Sequence, residues 1–528
     1  MKGFVVRGAF CGVSLLAIGA VLLFAAALPG GAAAGAQTLA HKGWAGSGIT
    51  VEPWWAGAVL YQIDPVSFQD SKGDGFGDLR GVAQRLDYLQ SLGVDAIVLS
   101  PFQLRAEFGQ RGSGPPFDPK YGQEEDLDHL LQEAGRRKIR VFVDLPLAAA
   151  GPTAELVNGA RFWLSRGIAG LRLTHDSHDP ALPAAQIAER MKALRRLCAT
   201  YAGQRVLLWD MPEPPAGGTD PAPSRGRRHA SPPALPDGPQ MLIDGRLAAM
   251  PRLDAAGLRE ALGVDARHPP AAEPTPVPVS DRAGRPRSFD RDGSHNLELA
   301  KELAKVLAAA LLTSRGAPML YFAQEIGMAT TPAASAHPVD PTPMQWGGDA
   351  DFTGGVPSAA PSTVPSIAVG GIDMGRNALT ASVALEDADP ASLLNWYRRL
   401  SALHHQNAAL RVGTMDLIAE SNPDIVAWVR RPRESGSLTA PVVVVCNLTG
   451  RSLLVSVAAD LRRAGIQTSS PIMHTLASTA LTSDVKEPVV GPVLMNAIAL
   501  PPYGVYIGEL ARQPGLETAP SPLRHSSR

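Results

Sequence analysis

Cysteine is scarce in this 528-residue chain, with three residues in all, Cys11, Cys198 and Cys446. That set excludes a disulfide scaffold and a zinc cluster. Net charge is missing as well: 49 Lys plus Arg stand against 50 Asp plus Glu, a formal charge of −1. Without a basic excess, binding to nucleic acid or to an anionic membrane surface is excluded. Long apolar runs are absent except for one, residues 12–28, which is 17 residues long and charge-free. Lys2 and Arg7 precede it, and PGGAAAGAQ follows, with Ala34-Gly35-Ala36 fitting an A-x-A cleavage site. Residues 1–36 therefore read as a secretory signal, and the mature chain as periplasmic or secreted. Because ~17–25 apolar residues can span a bilayer, an uncleaved anchor is the competing reading. No lasting membrane anchor is expected.

What is present is enough for a large core. Hydrophobic residues make up 45% and charged residues 19%, and the length suits a large barrel plus a smaller domain. Short Val-, Ile- and Leu-rich runs recur at 58–63, 94–100, 139–145, 168–174, 205–210 and 318–322. Such runs suit strands buried on both faces of a parallel sheet. Helical periodicity fills the gaps at 78–92, 126–138, 183–201 and 295–314. Two weaker strands, 241–245 and 286–290, complete eight. Repeated βα units of this spacing predict a (β/α)₈ TIM barrel over 54–392. A linker (37–53) precedes it, and Pro- and Gly-rich surface insertions are expected at 211–240, 267–286 and 329–377. After a lead-in helix, alternating strands such as 424–431 and 441–449 predict a C-terminal antiparallel β-sandwich domain, with 393–512 as the whole unit and 513–528 as a tail.

The motifs are specific. WWAGAVLYQIDPVSFQDSKGDGFGDLRGVAQRLDYLQSLGVDAIVLSPF (54–102), FDPKYGQEEDLDHLLQEAGRRKIRVFVDL (117–145), APMLYFAQEIGM (317–328) and TPMQW (342–346) together resemble glycoside hydrolase family 13. The likeness is to its α-glucosidase and oligo-1,6-glucosidase branch. It implies a TIM barrel acting on α-linked glucosides by a retaining mechanism. That mechanism needs a carboxylate nucleophile and a carboxylic acid ~5–5.5 Å apart, set at the C-terminal ends of barrel strands.

At those ends the chain departs from the family's pattern. The resemblance puts the nucleophile at Thr174, whose hydroxyl carries no charge and has no evident base. It puts the general acid at Asp210, one methylene shorter than the expected Glu. The third acid falls near SFDRDG, at Asp290 or Asp292. Ala148 and Ala149 stand in the positions of an Asn-His pair, and Arg111 in that of a sugar-clamping Asp. Asp144 and Arg172 persist; with Tyr61 and Trp209 they are the candidate substrate-binding residues. Asp176 is a candidate base for a water. The first loop, DSKGDGFGD, resembles the family's Ca²⁺ loop, with Asp70, Asp74, Phe76 and Asp78 as candidate ligand positions. Lys72 stands where an oxygen donor is expected, and its ammonium is an alternative to the metal. Only about a dozen residues separate the third strand from its helix, where the enzymes insert a lid domain.

Two functions compete. One is an exported, non-catalytic or weakly active member of this family, serving in binding or as a partner protein, with a protein partner open to it in that role. The other is an active hydrolase or transglycosidase that takes a small α-glucoside or oligosaccharide and uses Asp210 with Asp176.

Overall fold

The computed structural model describes residues 52–102, 117–147, 152–174, 182–211, 237–263, 274–293, 296–329, 343–347, 381–433, 439–466, 468, 470–480 and 491–511, without the side chains of 292 and 293. The expected signal segment and tail, most of the first and third insertions, and Arg111, Ala148, Ala149 and Asp176 lie outside these residues.

Eight parallel strands form the barrel: β1 (Leu60–Ile63), β2 (Ala96–Leu99), β3 (Arg140–Pro146), β4 (Gly170–Thr174), β5 (Val206–Trp209), β6 (Met241–Asp244), β7 (Thr275–Pro278) and β8 (Met319–Tyr321). Their order in the sheet is β7-β6-β5-β4-β3-β2-β1-β8, the sequence-order wrap of a TIM barrel. Closure is incomplete between β7 and β8. The N–H groups of Thr275 and Val279 donate to β6 and its flanks, so alternate residues face β8. Those are Pro276 and Pro278, which have no N–H to donate. Among the described residues, a single backbone bond, from Ala317 N–H to Pro276 O at 2.9 Å, bridges the seam.

This corrects one expected strand and one expected loop. Residues 286–290 form no strand; Ser288–Gly293 is a short helix. The seventh strand instead lies inside the Pro-rich stretch 267–286. The helix expected over 78–92 is two, Leu79–Gln84 and Leu86–Leu92, which meet at Arg85.

Side chains alternate across each strand. Leu60, Ala96, Val98, Phe142, Leu208, Met241, Val277 and Met319 fill the lumen. Their neighbours Tyr61, Ile97, Val143, Leu171, Leu207 and Leu320 face the helices. Trp54 and Trp55 pack against the lumen cluster.

The C-terminal domain is a six-stranded antiparallel sheet of order β14-β13-β16-β11-β10-β9. Its strands are β9 (Thr414–Ile418), β10 (Ile425–Arg431), β11 (Val442–Asn447), β13 (Ile472–Ser478), β14 (Pro492–Leu494) and β16 (Val505–Leu510). The pair β12 (Leu453–Val455) and β15 (Ile498–Leu500) shares a core with one face, through Val455, Ile498 and Leu500 against Ala427, Val429 and Val443. Trp428 and Arg430 reach the barrel helix Leu297–Thr313, where both donate to Thr313 O. The long helix Leu393–Gln406 joins the two parts.

Candidate functional site at the barrel mouth

Alternation within the strands decides which side chains reach the mouth. On β4, Gly170, Arg172 and Thr174 share the inward side, while Leu171 and Leu173 pack outward. By the same parity Asp144 on β3, Ser100 after β2 and Asp210 after β5 sit one layer above the apolar lumen. Arg172 ties these groups together. Its guanidinium donates to Ser100 Oγ, to Asp144 Oδ1 at 3.1 Å and to Asp210 Oδ2 at 2.5 Å. Arg282, from the loop after β7, donates to the other Asp210 oxygen at 2.8 Å. A chain of ion pairs thus runs from β3 through β4 and β5 to β7.

All four linked groups on β2 to β5 are buried. Burial raises the pKa of Asp144 above the usual carboxylate range, against the pull of Arg172 and Ser100. For Arg172 burial alone would lower it, but Asp144 and Asp210 outweigh that and raise it. Chemically, the arrangement holds charge in place. A general acid must aim a proton at the leaving oxygen, and both oxygens of Asp210 instead accept from guanidinium groups.

Thr174 ends β4 half-buried, and its carbonyl accepts from Leu147 N–H at 2.8 Å. Nothing else described at that strand end supplies a carboxylate. Trp209 points the other way, into the outer core, so it lies away from the mouth beside which it sits in sequence. Tyr61 is also outside the mouth. Fully buried, it donates to Glu325 Oε1 at 2.8 Å and packs its ring against Phe68. Tyr88 donates to the same oxygen. Burial raises the pKa of Tyr61, Tyr88 and Glu325 alike.

Asp290 and Asp292 lie in the helix Ser288–Gly293, displaced from any strand end. The acid at the end of β7 is Asp281, which the sequence reading missed. It is buried, in register with the inward Val277 and Val279, and accepts from Ser288 N–H at 2.7 Å, capping that helix. The period-two run Val277-Val279-Asp281 was the available signal, masked by its prolines.

The loop 70–78 folds around its own donors. Asp70, fully buried, accepts from the N–H groups of Lys72, Gly73 and Gly75 at 2.7–2.8 Å. Asp78 accepts from Gly81 N–H and Ser71 Oγ, capping the helix Leu79–Gln84. Lys72 Nζ lies 3.4 Å from Asp78 Oδ2. Asp74 accepts from Phe76 N–H, and Phe76 is exposed. Calcium needs six to eight converging oxygens at roughly 2.3–2.6 Å. Among the described residues no such cluster forms, the carboxylates are spent on N–H and O–H donors, and a cation is already present. These residues do not fit the ion.

Between β3 and the following helix, Pro146 and Thr153 are separated by six residues, too few for a lid domain.

Comparison with known proteins places these features. The alpha amylase catalytic-domain family model matches residues 62–151. Trehalose-6-phosphate hydrolase of Escherichia coli is 47% identical over 95 residues, 17% of each chain. A probable alpha-glucosidase of Rhizobium meliloti is 49% identical over 98 residues, 18% of each. The match thus spans under a fifth of those relatives' length. A trehalose synthase of Pimelobacter is 25% identical over 498 residues, covering 72% of this chain and 85% of that one. Among solved structures, trehalulose synthase MutB of Pseudomonas mesoacidophila superposes with a TM-score of 0.64 at 18% identity, and isomaltulose synthase of Klebsiella with 0.63 at 17%. Each covers 87% of this chain and 100% of its own. These likenesses establish the fold.

Proposed function

For a chain that residues 62–151 mark as a relative of the α-amylase family, glycoside hydrolase family 13, we propose a non-catalytic role on an exported barrel. The observation that carries this reading is the double capture of Asp210 by Arg172 and Arg282. Retaining hydrolysis needs an acid free to turn toward the substrate and a nucleophile across from it. Here the acid position is locked between two cations and the nucleophile position is Thr174. Removing a nucleophile costs most of an enzyme's acceleration, so ordinary turnover is not expected. The short link after β3 supports the same reading, because it has no room for an inserted lid domain there to exclude water. What remains is a rigid barrel suited to binding a carbohydrate or a protein partner. In the first loop Lys72, in place of calcium, supplies the positive charge.

The test is release of glucose or nitrophenol from a panel of α-glucosides by the purified chain and by its Asp210→Ala variant. Equal, background-level release from both is the expected result. Turnover that disappears in the variant would overturn the proposal and make Asp210 a working acid.

A further inference from the structure

Far from the mouth, at the base of the barrel, two adjacent histidines on the helix Leu393–Gln406 bond in the same pattern. His404 is fully buried, with Nδ1 3.0 Å from Leu312 O and Nε2 3.1 Å from Gly57 O. His405 has Nδ1 2.7 Å from Ser401 O and Nε2 2.8 Å from Asp95 Oδ2. Every partner is an acceptor. A neutral imidazole has one N–H, so it satisfies one such partner; only the imidazolium satisfies two.

The surroundings separate the pair. His404 faces carbonyls and no carboxylate, and burial, with His405 and Arg430 nearby, lowers its pKa to about 4. His405 is partly exposed and faces the carboxylate of Asp95, which also accepts from Val59 N–H at 2.8 Å. The charged groups bearing on His405 are Asp95, just before β2, and Arg411, from the helix Ala408–Val412, with His404 beside it on its own helix. The hydrogen bond to Asp95 outweighs burial and the repulsion of Arg411, and raises the pKa of His405 above 6.5.

We infer that His405 is a pH-sensitive clamp, fastening the helix that leads into the C-terminal domain to the barrel base through Asp95 while its ring is doubly protonated. Loss of the proton puts a lone pair against either Asp95 Oδ2 or Ser401 O. The helix has little room to relieve that contact. Its next-door residue His404 is fully buried, packed against Gly57 and Leu312, and Ser401 sits tightly over Gly93, where an added Cβ would lie 2.3 Å from Ser401 Oγ. Because the folded state holds this proton more tightly than the unfolded chain, the stabilisation is complete below about pH 6.5 and fades as pH rises through the raised value. The inference stands independently of any activity at the mouth.

The experiment uses the full chain with isotope-labelled histidine, its His405 resonances being assigned by their loss in His405→Gln. Ring nitrogens are followed by NMR across roughly pH 5 to 10, and melting temperature is measured over the same range. Expected are two protonated ring nitrogens at neutral pH, titration above 6.5, and a return to 6.5 or below in Asp95→Asn. The melting-temperature gap between wild type and His405→Gln should be widest near pH 6 and narrow above it. Titration of wild-type His405 at or below 6.5, or a gap that stays flat with pH, would overturn the clamp. Should His405→Gln fail to fold, the Asp95→Asn comparison decides, with the resonance identified by the shift it undergoes there.

Discussion

Between β1 and β4, successive strands share four, four and five paired residues, whereas β5 and β6 share two. Between β7 and β8 the ladder stops, and Pro276 and Pro278 present no N–H across the gap. The first arc is held by its backbone and by Val, Ile and Leu on both faces. The second keeps four pairs between β6 and β7, but its thin β5–β6 ladder is supplemented by a side chain, Arg282 reaching Asp210 from beyond β7. Two of the ion pairs at the mouth, Arg172 with Asp144 and with Asp210, lie on well-laddered neighbours, and the third, Arg282 with Asp210, reaches past the β5–β6 pair that shares two residues. The groups at the mouth therefore act as a brace, and a brace that must stay fixed is poorly suited to moving protons.

The largest effect should come from cutting the brace at its centre. Arg172→Leu leaves Asp144 and Asp210 buried at the mouth without the guanidinium they share. Removing one partner from a buried pair costs ~3–5 kcal/mol, measurable by urea unfolding. A loss below ~1 kcal/mol would show that the mouth is solvated and that the brace is not structural.

Next is the seam itself. Gly316 has φ +110°, and a Cβ there would lie 2.2 Å from Pro276 O, beside the bond from Ala317 N–H that links β7 to the segment leading into β8. Gly316→Ala should cost about 1–3 kcal/mol through backbone strain. Amide exchange should quicken in β7 and stay slow in β2 and β3. Equal quickening in both arcs would mean that the two halves are one cooperative unit, and the contrast would fail.

A smaller change sharpens the comparison from the other side. Arg282→Gln removes one of the two cations on Asp210 but leaves Arg172 in place. The expected loss is about 1.5 kcal/mol, in the range for a hydrogen bond to a charged group. If it matched the loss from Arg172→Leu, Arg282 rather than Arg172 would be the keystone.

The same contrast explains what could be read in advance. Apolar runs marked β1 to β5 because strands buried on both faces need them. The seventh strand was hidden because Thr275-Pro276-Val277-Pro278 looks like a breaker, and only its place at the open edge tolerates two prolines. With β7 misplaced, Asp281, the acid just past the end of that strand, went unseen. Trp209 and Tyr61 lie away from the mouth for a different reason. Strand alternation turns both side chains outward, as counting from Arg172 and from Leu60 shows. Arg282 carried no sequence signal at all, since a guanidinium reaching across from β7 to β5 is a tertiary fact.

The smallest effect belongs to the well-laddered arc, in the loop after β1. Lys72 is partly exposed, and its contact with Asp78 is a single 3.4 Å pair. Asp70 and Asp78 keep their backbone partners without it. Lys72→Met should therefore cost no more than ~1 kcal/mol, the range for exposed pairs. The more discriminating measurement is the melting temperature with calcium and with chelator. The wild-type value should be the same in both, because the loop's carboxylates are already spent on N–H donors and the ammonium repels a second cation. A melting temperature that rises with calcium in the wild type would show that the loop reopens around the ion, and that Lys72 is displaced instead of standing in for it. Calcium dependence confined to Lys72→Met would leave the ammonium as the group that excludes the metal, and would place this arc, like the mouth, under the control of one side-chain cation.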